Sequence, residues 1–138
     1  MEIKQISIFL DNTAGRLGEV TRVLAKAETN IRAISIADTA EFGILRLVVH
    51  NYEVALKALK DVGFTTRVTN VIAVEVDDKS GSLAMVMELF ENNKVNIEYL
   101  YTSLVGQDGK AVIIFKLEDQ QRGLHIIREN KITIIESI

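Results

Sequence analysis

The chain repeats itself at a spacing of 66 residues. The stretch DNTAGRLGEV at 11–20 follows an alternating apolar run and leads into a helical pattern, and DDKSGSLAMV does the same at 77–86. The same shift superposes Gly15 on Gly81, Leu17 on Leu83, Val20 on Val86, Asn30 on Asn96, Ile31 on Ile97 and Gly43 on Gly109. Identity at that many spaced positions points to a duplicated supersecondary unit rather than one domain built from all 138 residues. Two domains are therefore expected, at 1–70 and 71–138.

Each half runs through one order of patterns. Ile6, Ile8 and Leu10 alternate with Gln5, Ser7 and Phe9, as Ile72, Val74 and Val76 alternate with Ala73 and Glu75. Leu17, Val20, Leu24 and Ala27 then recur at helical spacing, and so do Leu83, Val86, Leu89 and Phe90. NIRAISIADT with GILRLVVH, and NIEYLYTSLVG with GKAVIIFKL, read as hairpins around Gly-containing turns. YEVALKALKDVG and QQRGLHIIREN supply a second helix, now offset by 68, and FTTRVT and KITIIES a last strand. The order β-α-β-β-α-β with right-handed crossovers predicts an α+β fold: two ferredoxin-like units, each an antiparallel sheet with both helices on one face. The link at 68–71 contains neither Gly nor Pro.

On the face away from the helices stand Ile44, Val48, Val112 and Ile114, opposite the core-facing Leu45, Leu47, Ile113 and Phe115. A second face this apolar predicts association, read here as a homodimer stacking sheet on sheet.

Composition excludes several functions. A net charge of −3 with scattered basic residues argues against nucleic acid as a partner. The central strands GILRLVVH and GKAVIIFK carry no aromatic platform for bases, Phe115 being core-facing. With no cysteine there is no disulfide, thiolate nucleophile or Cys-held metal, and His50 and His125 have no carboxylate cluster beside them. No nucleophile elbow, phosphate loop or dinucleotide fingerprint occurs, and Asp77 and Asp78, as adjacent residues leaving a strand, point apart. The chain is thus expected to be no enzyme, to need no cofactor, to avoid membranes and to work in the cytoplasm.

The Asp-x-x-x-Gly-x-Leu loop before the first helix, the Asn-Ile opening the next strand and the β-α-β-β-α-β order resemble the ACT domain family, with two copies filling nearly the whole chain. That resemblance implies a small-molecule regulatory module, usually an amino-acid sensor, with ligand held where the loop of one unit meets the second strand of a neighbour. This sequence departs from the family pattern where Ala14 and Ser80 replace a frequent proline, and where Glu28 and Lys94 replace a frequent glycine two residues before the Asn.

Physically, a helix N-terminus offers free N–H groups and partial positive charge to a carboxylate. Gly15 or Gly81 permits close approach of the ligand. Asp11 with Asn12, or Asp77 with Asp78, could accept hydrogen bonds from its ammonium end. Leu17, Ile34, Leu83 and Tyr99 would flank an apolar or modest-sized side chain. The candidate site residues are Asp11, Asn12, Ala14, Gly15, Arg16, Leu17, Asn30 and Ile31 in the first half, and Asp77, Asp78, Ser80, Gly81, Ser82, Leu83, Asn96 and Ile97 in the second. Plainer roles compete. The Asp, Asn, Thr and Ser residues could cap helices, Asn30 and Asn96 could take the left-handed conformation at a helix end, and 35–43 could be a packed loop. Function is read as sensing of a free amino acid, the alternative being a regulatory subunit that docks on a metabolic enzyme with ligand binding secondary or lost.

Overall fold

The computed structural model describes residues 2–39 and 41–138. The elements run β1 (Ile3–Asp11), α1 (Arg16–Lys26), β2 (Ile31–Asp38), β3 (Phe42–Val49), α2 (Tyr52–Asp61), β4 (Thr65–Asp77), α3 (Ser82–Asn92), β5 (Ile97–Thr102), β6 (Lys110–Leu117), α4 (Gln120–Glu129) and β7 (Thr133–Ile135). The chain divides into two compact units, Lys4–Thr69 and Asn70–Ser137, with Glu2 and Ile3 grouped with the second and Ile138 with the first. Strand order is β2-β3-β1-β4 in the first unit and β5-β6-β4-β7 in the second.

The last strand of the first half and the first strand of the second, expected as separate pieces, are one strand of 13 residues. The sequence TTRVTNVIAVEVD is rich in β-branched residues and lacks the Gly or Pro that would interrupt it.

In the first unit, antiparallel pairing of Ile6 with Leu47 and Ile8 with Leu45 puts these side chains on the helix side of the sheet. There they form a core with Val20, Leu24, Ala55, Leu59 and Phe64. In the second, Ile72 opposite Phe115 and Val74 opposite Ile113 do the same, under Val86, Phe90, Leu124 and Ile127. Phe90 meets Phe115 edge to face, with ring centroids 5.4 Å apart.

The second face is not the open apolar surface expected. Val48, Val112 and Ile114 are 2%, 7% and 0% exposed within the single chain, so a second copy is not needed to cover them. What stays open lies at one end of the first unit's face. Phe9 pairs with Ile44 and Asp11 with Phe42, and Phe9 and Phe42 are 45% and 60% exposed.

Both first-position helices end alike. Thr29 N–H donates to Leu24 O and Glu28 N–H to Ala25 O, as Val95 N–H donates to Phe90 O and Lys94 N–H to Glu91 O. This is the Schellman arrangement, which needs a left-handed residue. Glu28 (φ 53°) and Lys94 (φ 55°) supply it, not Asn30 and Asn96.

Candidate functional site

The two loops share a backbone design. Thr13 N–H returns to Asp11 O and Lys79 N–H to Asp77 O, both at 2.9 Å. Asn12 N–H reaches Glu41 O, and Asp78 N–H reaches Gly109 O. Each helix then starts from a glycine with positive φ, Gly15 at 88° and Gly81 at 92°. The capping role weighed for the loop Asp, Asn, Thr and Ser is not taken: no side chain caps α1 or α3. The other two helices are capped by the side chains of Asn51 and Asp119. Space beyond the glycines is open, since a Cβ added at either would meet nothing within 4 Å.

The side chains around the two turns differ. In the second unit a cavity of about 730 Å³ opens beside the loop. Its floor is the end of β4 and the loop, from Glu75 to Ser82 without Asp78. One wall is a stripe along α3 of Ser82, Met85, Glu88, Leu89 and Asn92; the other is Asn130–Thr133, with Lys110 at the rim. The size suits a small organic ligand. In the first unit the residues matching Ser82, Met85 and Ile132 are Arg16, Glu19 and Phe64. Arg16 Nη1 donates to Glu19 Oε2 at 2.7 Å, and its guanidinium lies 4.9 Å from the Phe64 ring centroid.

Of the expected residues, the cavity gathers Asp77, Ser80, Gly81 and Ser82. Asp78 and Leu83 do not line it, and Asn96 lines a separate surface hollow with Lys94 and Arg122. Asn30 acts through its backbone, its N–H donating to His50 Nδ1 and its carbonyl accepting from His50 N–H. Ile31 packs against the first core and Ile97 against the second. The expected apolar flank is elsewhere too. Ile34 packs against the first core, Tyr99 stacks on Tyr101, and Leu17 and Leu83 are 41% exposed. The cavity's apolar lining is Val76, Met85, Leu89 and Ile132. In the segment 35–43, Thr39 Oγ1 accepts from Phe42 N–H, and Ala40 lies outside the described residues.

Charge also separates the loops. Lys110 Nζ donates to Asp77 Oδ1, and Lys79 approaches Asp77 Oδ2 at 3.9 Å. The hydrogen bond from Lys110 and its charge hold the Asp77 carboxyl below the usual range, and the Lys110 ammonium is raised in turn. The aspartate expected to receive a ligand's ammonium group is therefore already paired, leaving Glu75 and Glu88 as the other carboxylates of the cavity. Position 44, which matches Lys110, is isoleucine, and Asp11 instead faces Arg16 Nε at 3.9 Å.

Missing from the expected set were Glu75, Val76, Lys79 and Lys110, the α3 stripe beyond Ser82, and Asn130–Thr133. The spacing of Ser82, Met85, Leu89 and Asn92 on one helical face was visible in the sequence, but it takes the fold to bring 130–133 against it.

Two β-α-β-β-α-β units, each with a glycine-started strand-loop-helix corner, define a tandem ferredoxin-like fold. The profile of the ACT domain pair matches residues 1–138, and the chain belongs to that family. A solved structure of protein BT0572 from Bacteroides thetaiotaomicron is 37% identical, with a TM-score of 0.92 over 98% of this chain and 92% of that one. The regulatory subunit of aspartate kinase from Thermus thermophilus, solved ligand-free, has a TM-score of 0.66 at 15% identity, covering 91% of each chain. That from Thermus flavus has a TM-score of 0.64 at 16% identity, covering 94% of this chain and 92% of that one. At those identities the Thermus proteins speak for the fold alone. No curated protein matches the sequence. Among the described residues no helix is long and apolar enough to cross a membrane.

Proposed function

We propose that the chain is a non-catalytic cytoplasmic sensor of a free amino acid, bound in the second unit at the 77–82 loop. The observation that carries this reading is the α3 N-terminus, started by Gly81 without a side-chain cap, opening into a cavity of about 730 Å³. The ligand's carboxylate takes the helix N-terminus and the lysines beside it, its ammonium group Glu75 or Glu88, and its side chain lies over Met85, Leu89 and Ile132. Six charged side chains of balanced sign line the space, which suits a zwitterion.

A thermal-shift screen of the twenty amino acids tests it. A ligand that binds only the folded chain stabilises it by about 2.7 kcal/mol at one hundred times its dissociation constant. Gly81→Val, folded but strained at positive φ, loses that response, whereas Gly15→Val keeps it. The reading is wrong if no amino acid shifts the wild-type midpoint, or if folded Gly81→Val responds as wild type does.

We further propose that the chain forms a homodimer through the exposed Phe9 and Phe42 end of the first unit rather than the buried Val48 and Ile114. Light scattering on the same samples reads it, a monomeric mass at micromolar concentration being the contrary result. The same patch supports a second reading, docking on a metabolic enzyme. The Thermus proteins of this fold are named as aspartate kinase regulatory subunits, and co-purification of a larger enzyme would favour that reading.

A further inference from the structure

The corner at the first loop is a cation cage, and the chain supplies its own cation. Arg16 donates to Glu19 at 2.7 Å, has Asp11 at 3.9 Å and lies over Phe64 at 4.9 Å. Two carboxylates and a ring face are what a planar guanidinium binds. Arg16 Nε is nonetheless buried without a hydrogen-bond acceptor, so its fit in the cage is incomplete. None of this is repeated at the second loop, where Ser82, Met85 and Ile132 take the matching places and border the open cavity.

We propose that Arg16 is a built-in occupant of the first corner, so that the chain has one open amino-acid site instead of two, and that a free guanidinium-class cation can take its place. The count of sites rests on the amino-acid reading above; the occupancy of the cage by Arg16 does not.

The two parts are tested separately on the full chain. Arg16→Ala lowers the melting temperature, and millimolar N-ethylguanidinium restores most of the loss. It shifts the amide resonances of 11–19 and 62–65, while leaving wild type and Ser82→Ala unchanged. Ethylammonium, which lacks the planar fork, restores less. If Arg16→Ala does not fold, Arg16→Gln serves in its place. No response to N-ethylguanidinium in a folded variant overturns the cage, whatever any amino acid does. For the count, L-leucine titrated into wild type moves resonances around 75–85 and 130–133 only, with one equivalent bound. In the variant Arg16→Ser, Glu19→Met, Phe64→Ile that also carries Phe9→Glu, Arg22→Glu and Ile44→Lys, the matches of Glu75, Glu88 and Lys110, it also moves 11–19, with two bound. Wild-type shifts at 11–19, or one equivalent in the folded six-residue variant, overturn the count. If L-leucine binds neither form, the amino acid with the largest shift in the screen of twenty replaces it; a screen with no shift overturns the amino-acid reading and leaves the cage to be decided by N-ethylguanidinium.

Discussion

At 11–16 and at 77–82 the backbone makes the same turn into a helix, down to matching hydrogen bonds and glycine dihedrals. Around that shared turn, the closed corner has Arg16 for Ser82, Glu19 for Met85 and Phe64 for Ile132, and it also has Phe9, Arg22 and Ile44 where the open one has Glu75, Glu88 and Lys110. In the first, a guanidinium covers a buried ring; in the second, shorter or more flexible side chains border an open cavity. Conserved backbone therefore says little about whether a corner binds anything, because the turn can be kept for its geometry while side chains settle its occupancy.

The strongest way to break this contrast is to truncate the residue under each corner. Phe64 is 6% exposed, and Phe64→Ala should destabilise by about 3–5 kcal/mol, the range for a buried phenylalanine. Ile132 is only partly buried beside the cavity, and Ile132→Ala should lose about 1–2 kcal/mol. Urea denaturation measures both, and equal losses would mean that the corners are filled alike.

A smaller effect tests what the halves share. Glu28 and Lys94 hold a left-handed conformation that an L-residue adopts at a penalty of about 1–2 kcal/mol. Part of that is offset by the greater chain entropy of glycine, so Glu28→Gly and Lys94→Gly should each gain about 0.5–1 kcal/mol. A gain at one end only would show that the two helix ends are not equivalent.

The smallest effect belongs to the second loop alone. Because Lys110 depresses the Asp77 carboxyl, the stabilisation from this pair is present above the ordinary aspartate value of about 3.9 and is lost as pH falls through the lower folded value. Asp77→Asn should therefore shrink the acid-side fall in melting temperature below about pH 4. Both groups are half in solvent, so the change is modest. An unchanged acid limb would mean the pair contributes nothing.

Much of the fold was legible because periodicity is local. The alternation around Ile6 and Ile72 and the helical spacing around Leu24 and Phe90 gave the element order and both cores. What local patterns could not carry was any property fixed by distant residues. Burial of Val48 and Ile114 is set by residues outside the strands that hold them. The cavity needs 130–133 beside α3, about 40 to 50 residues apart in sequence. At the helix ends the reading failed for another reason. Charged residues stand at 28 and 94, where composition suggests ordinary surface, and the asparagines two positions later carry the better-known preference for left-handed backbone.

The unbroken strand Thr65–Asp77 has a thermodynamic meaning. Repeats joined by a flexible tether can melt in turn, each with its own midpoint. Here the copies hold one strand in common, and melting of either frays the ribbon on which the other is built. Heat is therefore expected to unfold both copies in a single cooperative transition, with amide exchange slowest along that strand.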